Sequence, residues 1–143
     1  DEEKSLAFGR IGLVLSENDP RRAATILSDS GVAGRDFDVA VVQVIQRWAA
    51  VSPLEAAAWV MNFDPGDARS AGMKEIVAAW ISKDPQAALT WISTIPTPAL
   101  RREAELGAAH YMLEDPDSSL LDSASPEIRR EFEALKVQAA GEN

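Results

Sequence analysis

The chain of 143 residues lacks cysteine and contains a single histidine, His110. The absence of thiols excludes disulfides, thiolate nucleophiles and zinc–thiolate sites, and one imidazole excludes a metal site built on several histidines. Tyrosine occurs once and phenylalanine four times, so aromatic strand formers are scarce, whereas alanine, the strongest helix former, is the commonest residue. This composition favours an all-α fold.

The chain also has few basic residues and no long apolar run. The 14 lysines and arginines stand against 23 aspartates and glutamates, which gives a formal net charge of -9. So acidic a chain lacks the basic face that nucleic acids or anionic membranes require, and we expect neither as a partner. No apolar run approaches the roughly 20 residues that cross a bilayer, so we expect no membrane insertion. Because the chain begins at Asp1 without a leader pattern, either a targeting segment has been removed or the chain is a piece of a longer protein, and both cytoplasm and export stay open.

The sequence contains a repeat of about 32 residues. Four prolines recur at intervals of 33, 32 and 31 residues: Pro20, Pro53, Pro85 and Pro116. Relative to these prolines, all four tryptophans fall at two positions. Trp48 and Trp80 lie five residues before a proline, and Trp59 and Trp91 lie six residues after one. A period of this length is typical of stacked helical repeats.

Each repeat unit reads as a long helix, a proline and a short helix. In the second unit the long helix places apolar residues at the spacing of one helical face: Val41, Val44, Ile45, Trp48 and Ala49. In the third unit the same spacing gives Met73, Ile76, Val77, Trp80 and Ile81. The Asp or Ser before each proline ends the first helix and caps the second. Ser52 and Glu55 also match the capping-box pattern.

These signals predict a single helical-repeat domain over residues 1–143. We expect helices near 3–17, 20–29, 38–50, 53–62, 67–82, 85–94, 98–113 and 116–122, grouped in units 3–34, 35–66, 67–97 and 98–125 and followed by a C-terminal capping helix over 126–140. Since no single hairpin buries both of its faces, neighbouring hairpins stack. The predicted fold is all-α, a right-handed α-α superhelix of about four helical hairpins plus a C-terminal helix.

The W-x3-[DS]-P-x2-A-x2-W pattern spans Trp48 to Trp59 and again Trp80 to Trp91. It resembles α-solenoid repeats of the tetratricopeptide-like superfamily, and in particular the tryptophan-rich helical repeats of uncharacterised bacterial proteins. In the tetratricopeptide repeat itself the proline lies near the end of the second helix, whereas here it begins that helix. The resemblance implies a scaffold with a protein or peptide partner and carries no catalytic residues.

The residues that could carry chemistry form no convincing site. His110 and Glu114 lie one helical turn apart, with Asp115 and Asp117 after them, and such a group could hold a divalent cation. The favoured interpretation is that Asp115 caps a helix and the others are surface residues. Glu103 and Glu105 point in different directions on a helix. We therefore predict no catalytic, cofactor-binding or metal-ligating residue and no cofactor.

The tryptophans and three arginine pairs have two interpretations each. The tryptophans are expected to pack in the core opposite alanines, the alternative being an exposed row that stacks on sugars or clamps a peptide. Each arginine pair is expected to be solvated and balanced by carboxylates such as Glu103 and Glu131, the alternative being recognition of phosphate or an acidic peptide. These pairs are Arg21–Arg22, Arg101–Arg102 and Arg129–Arg130.

The most economical hypothesis is a non-enzymatic protein-interaction module or scaffold. The alternative is a structural spacer or repeat segment of a larger protein with no ligand of its own. An enzyme or a metal-binding domain is the remote alternative. The partner's identity, the biological process and the oligomeric state do not follow from the sequence.

Overall fold

The computed structural model describes residues 19–31, 34–115, 117 and 119–142. This part of the chain contains eight α-helices and no β-strand, which confirms the all-α prediction. The helices are α1 (Pro20–Asp29), α2 (Gly34–Val51), α3 (Pro53–Val60), α4 (Asp67–Lys83), α5 (Pro85–Thr94), α6 (Pro98–Glu114), α7 (Ser119–Asp122) and α8 (Pro126–Gly141). The helix predicted over 3–17 lies outside the described residues.

Long and short helices alternate along the chain and separate in space. The long helices α2, α4, α6 and α8 pack side by side in that order, each extensively against the next. The short helix α3 packs against both α2 and α4, and α5 packs against both α4 and α6. Each helix therefore makes its extensive contacts with near neighbours in the row, as stacked repeats do.

At the proline joints one long helix ends and the following short helix is capped by the residue before the proline. Ser52 donates its backbone N–H to the carbonyl oxygen of Trp48 at 2.7 Å, and Asp84 donates to Trp80 at 2.8 Å. The side chains then cap the following short helix by accepting a backbone N–H, at 3.1 Å for Asp19, 3.4 Å for Ser52 and 3.1 Å for Asp84. The predicted caps at these three joints are confirmed.

The capping box predicted at Ser52 and Glu55 is only half formed. Glu55 does not return to the Ser52 backbone, since its carboxylate accepts the indole N–H of Trp48 at 3.2 Å and forms an ion pair with Arg21 of α1. A charged guanidinium is a stronger partner for a carboxylate than a neutral amide. The prediction is wrong because that guanidinium arrives from the neighbouring unit.

The fourth joint departs most from the prediction of a helix over 116–122. Asp115 caps no helix there, because its carboxylate accepts the backbone N–H of Asp117 at 2.8 Å. Asp117 in turn accepts the backbone N–H of Ser119 at 3.0 Å, and α7 then lasts for one turn. Such local side-chain bonds compete with helix formation, which explains why Asp115 differs from its counterparts Asp19 and Asp84.

Two other helix boundaries also shift. Helix α2 begins at Gly34, four residues before the predicted start, with Asp36 in its first turn where a negative charge favours the helix dipole. Phe37 in the same turn packs on Phe63, with ring centroids 5.7 Å apart. Helix α3 ends at Val60, two residues early, because Phe63 donates its backbone N–H three residues back and tightens the turn.

The apolar faces predicted for the long helices form the core. All the predicted positions of α2 and α4 are buried except Trp80, which is partly exposed. The corresponding face of α6 is built of small residues, including Ala104, Gly107 and Ala108. A Cβ on Gly107 would lie 3.2 Å from the Cα of Lys74, so the backbones of α4 and α6 approach closely there.

The tryptophans pack in pairs at the edge of this core. Trp48 and Trp59 have ring centroids 5.9 Å apart, and those of Trp80 and Trp91 are 5.1 Å apart. Trp48 is 6% exposed, as the core interpretation requires, whereas the other three are only partly buried. The exposed aromatic row is not formed.

A largely buried ion pair links α4 to α6. The Nη2 and Nε atoms of Arg69 lie 2.9 and 3.0 Å from the two carboxylate oxygens of Glu103, and these side chains are 10% and 20% exposed. Glu103 was expected to balance the pair Arg101–Arg102 within its own helix. That assignment is wrong, because helix stacking brings Arg69 to the same carboxylate in two-point geometry.

We expect Glu103→Leu to reduce the free energy of unfolding by about 3 kcal/mol, because it leaves the guanidinium of Arg69 buried without its partner. The double variant Arg69→Met/Glu103→Leu should recover much of this loss. The control is Glu131→Leu, whose partner Arg102 is 80% exposed, and it should cost less than about 1 kcal/mol. Urea denaturation measures all three; equal losses for Glu103→Leu and Glu131→Leu would contradict the assigned role.

Trp48→Ala should cost about 3–5 kcal/mol, as removal of a buried aromatic ring does. Trp59→Ala should reduce the free energy of unfolding by less. Part of the Trp59 ring already contacts water in the folded chain, so less apolar area becomes exposed when the chain unfolds. Equilibrium unfolding of the two variants provides the comparison. The edge-of-core description fails if Trp59→Ala proves the more damaging change.

Candidate functional site

A cleft of about 880 Å³ opens between α5, α6 and the start of α8. We call it the α5/α6/α8 cleft. The α6 wall lies between Pro98 and Glu105, the α8 wall lies between Glu127 and Glu131, and residues 123–125 also line the cleft. Its floor includes the buried residues Ile92, Ala124 and Ile128.

The cleft exists because the fourth short helix is cut off after one turn. Helices α4 and α6 run in the same direction, since Arg69 meets Glu103 near their starts and Gly107 lies against Lys74 about one turn further along. Helix α8 contacts the first half of α6, where Arg102 meets Glu131, so the chain must return from the end of α6 towards its start before α8 begins. Elsewhere a short helix fills this return path, as α5 does beside α4. Here only α7 does, and the space beyond it is open.

Arg129 holds α7 in its shortened form. Its Nε donates to the carbonyl oxygen of Leu121 at 3.1 Å, and its Nη2 donates to that of Asp122 at 2.7 Å. Carbonyl groups at a helix C-terminus lack partners within the helix, and a guanidinium satisfies two at once. Arg129 was predicted to be solvated and balanced by carboxylates, and this contact gives it a structural role instead.

Charged side chains of both signs line the walls. They are Arg101, Arg102 and Arg130 together with Glu105, Glu127 and Glu131. Arg101 donates to the carbonyl oxygen of Ile95 at 2.9 Å, so it anchors the loop before α6. Arg102 lies 3.8 Å from Glu131, the one balancing contact that the sequence predicted correctly for this pair. The cleft is thus zwitterionic rather than basic.

Glu105 is the titratable group that this environment perturbs. Burial raises the pKa of the Glu105 carboxyl above its ordinary value, and the negative charges of Glu127 and Glu131 raise it further against the opposing effect of Arg101 and Arg102. Glu103, two residues earlier, faces α4, so these two carboxylates point apart as predicted. They do not form an acid–base pair.

A smaller groove of about 200 Å³ lies between α4 and α6, where Gly107 brings the two backbones together. Lys74, Leu106 and His110 line it. Burial lowers the pKa of His110, and the charge of Lys74 lowers it further while Glu114 opposes both. Both effects favour the neutral form of the imidazole.

The metal-binding alternative for His110 requires a cluster of ligating side chains around it. Asp115 and Asp117 use their carboxylates to accept backbone N–H groups. Among the residues that the structure describes, no three histidine, aspartate or glutamate side chains gather in a way that could hold a metal ion. Across the same residues, no helix is both long and apolar enough to cross a membrane.

Sequence reasoning did not find the cleft, although one signal for it was present. Asp122 occupies the position that tryptophan fills in the second and third units. A carboxylate there cannot anchor a short helix on the apolar face of its neighbours, so the helix ends and the space stays open.

Replacement of Glu105 by Gln should raise the melting temperature at about pH 7. The raised pKa means that the folded chain keeps this proton to a higher pH than the unfolded chain, so ionisation costs stability as the pH rises. The gain should therefore shrink as the pH falls to about 4, where the carboxyl is mostly protonated in both states. Thermal melts across this range test it, with the exposed Glu133→Gln as control; a pH-independent gain would contradict the assignment.

Comparison of the chain with protein-family models, curated proteins and solved structures finds no match.

Proposed function

We propose that this chain is a non-enzymatic protein-interaction module, a helical-repeat scaffold that binds a segment of another protein in the α5/α6/α8 cleft. The observation that carries the proposal is the open space left where the fourth short helix ends early. The resemblance to α-solenoid repeats of bacterial proteins supports it, because such repeats use their extended surfaces for binding. A right-handed superhelix is part of the same proposal.

The lining of the cleft suits a polypeptide better than the other classes of ligand. Its walls combine three arginines, three glutamates and the hydroxyl groups of Thr90, Ser93, Ser123 and Ser125. Backbone amides and mixed side chains of a peptide can pair with such a set, whereas a polyanion would meet as many negative charges as positive ones. The net charge of -9 also disfavours nucleic acid.

The alternative is a structural spacer with no ligand of its own. The side-by-side stacking of α2, α4, α6 and α8 favours it, because such a row sets a distance between its ends without needing any exposed site. The two functions differ in their tolerance of surface changes. A spacer tolerates any change in the cleft that preserves folding, whereas a binding module does not.

Affinity capture from an extract of the native organism tests the proposal. Arg130→Glu, in the cleft, is compared with Lys136→Glu, on α8 but outside the cleft; both residues are exposed, and the two variants have the same net charge. We expect one protein to be recovered in comparable amount by the parent and by Lys136→Glu and to be lost with Arg130→Glu. Recovery of background proteins alone by folded bait would favour the spacer.

A further inference from the structure

We infer that the partner segment in the α5/α6/α8 cleft is a short amphipathic helix with a tryptophan on its inner face, which completes the fourth unit in place of the missing part of α7. The inference rests on the proposed function and adds the class of partner.

The contact between α1 and α3 shows which residues of one short helix bind the next short helix along the chain. The indole N–H of Trp59 in α3 donates to the hydroxyl oxygen of Ser28 in α1 at 3.1 Å. At the other end of the same contact, Arg21 of α1 pairs with Glu55 of α3. Counted from Pro20, the receiving positions are one and eight residues downstream. In this pair of helices the earlier one presents a polar side chain at each of the two positions, whereas α3 has Leu54 and Met61 there.

Helix α5 presents the same two positions to the cleft. Gln86 and Ser93 lie one and eight residues after Pro85, and both line the cleft. Ser93 stands where Ser28 receives an indole in the first pair of helices. Its hydroxyl donates to the carbonyl oxygen of Thr90 at 2.6 Å, which leaves its oxygen able to accept a hydrogen bond. The chain itself offers Asp122, an exposed carboxylate, at the position from which the indole would come.

The size of the cleft matches a helix of the same length. A helix about 10 Å in diameter that rises 1.5 Å per residue occupies roughly 120 Å³ per residue, so about 880 Å³ accommodates about seven residues. The short helix α3 has eight residues, and α1 and α5 have ten each. Two turns of helix therefore fit the space that α7 leaves.

The helix comes from another protein rather than from a second copy of this chain. Helices α3 and α5 are each packed against the long helix of their own unit and α1 is packed against α2, and their alanines Ala23, Ala56 and Ala88 are buried. A second copy would have to unfold one of its own units to supply such a helix. A partner with a free amphipathic segment has no such cost, and this helix-in-groove mode is a recurring one.

The test uses a synthetic peptide with the sequence of residues 52–63, SPLEAAAWVMNF, labelled with a dye at its N-terminus. It carries the tryptophan and the glutamate that α3 uses against α1. Fluorescence anisotropy should show saturable binding to the intact chain. A peptide in which this tryptophan is replaced by alanine should bind at least about tenfold more weakly, because an aromatic anchor supplies much of the affinity of a small interface.

Two variants of the chain separate the cleft from the rest of the surface. Ser93→Tyr fills the receiving position, and Ser82→Tyr is the matched control, since Ser82 is also exposed in the last turn of a helix and donates to a carbonyl three residues back at 2.7 Å. Ser93→Tyr should weaken peptide binding at least about tenfold, and Ser82→Tyr should leave it within about twofold.

The inference is overturned if the peptide fails to bind at about 1 mM, or if it binds the parent and Ser93→Tyr equally while both retain the helical circular dichroism signal. Loss of the captured protein with Arg130→Glu would in that case still support a binding module, with a partner of another class. Peptide binding that is sensitive to Ser93→Tyr but not to Ser82→Tyr supports the inference whether or not the native partner has been recovered.

Discussion

A helix cannot continue through the joints at Pro53 and Pro85, because proline lacks a backbone N–H and forces the residue before it out of the helical conformation. Ser52 and Asp84 make this break inexpensive. Each donates its own backbone N–H to the helix that ends and uses its side chain to accept an N–H of the helix that begins. Two helices are thereby folded onto each other through a joint with two local hydrogen bonds, and the stacking of the long helices and the pairing of the tryptophans follow from this reversal.

Helices α4 and α6 stack with a close approach and a defined register. At Gly107 the absence of a side chain lets α6 approach the backbone of α4. The ion pair between Arg69 and Glu103 holds the same two helices at one axial position, because a planar guanidinium meets both carboxylate oxygens only in a narrow range of geometries. Close approach and fixed register together fix the position of α6, which forms one wall of the cleft.

The parts of this structure that follow from local rules could be read from the sequence. The proline intervals, the caps at Asp19, Ser52 and Asp84 and the buried face of α2 depend on residues within a few helical turns of one another. The sequence could not show that Arg21 would divert Glu55 from its capping box, since the two lie 34 residues apart. It could not show the cleft either, because empty space depends on the arrangement of three helices around the early end of α7.

The neighbour-only packing of the row has a consequence for how such a chain can change over evolutionary time. A long helix makes its extensive contacts with the long helices on either side and with the short helices beside it. A duplicated unit inserted next to its parent would meet surfaces that already match it, so the array could lengthen without a new type of interface. Duplication of the fourth unit would also duplicate the shortened α7. A chain with two copies of that unit would therefore have two clefts.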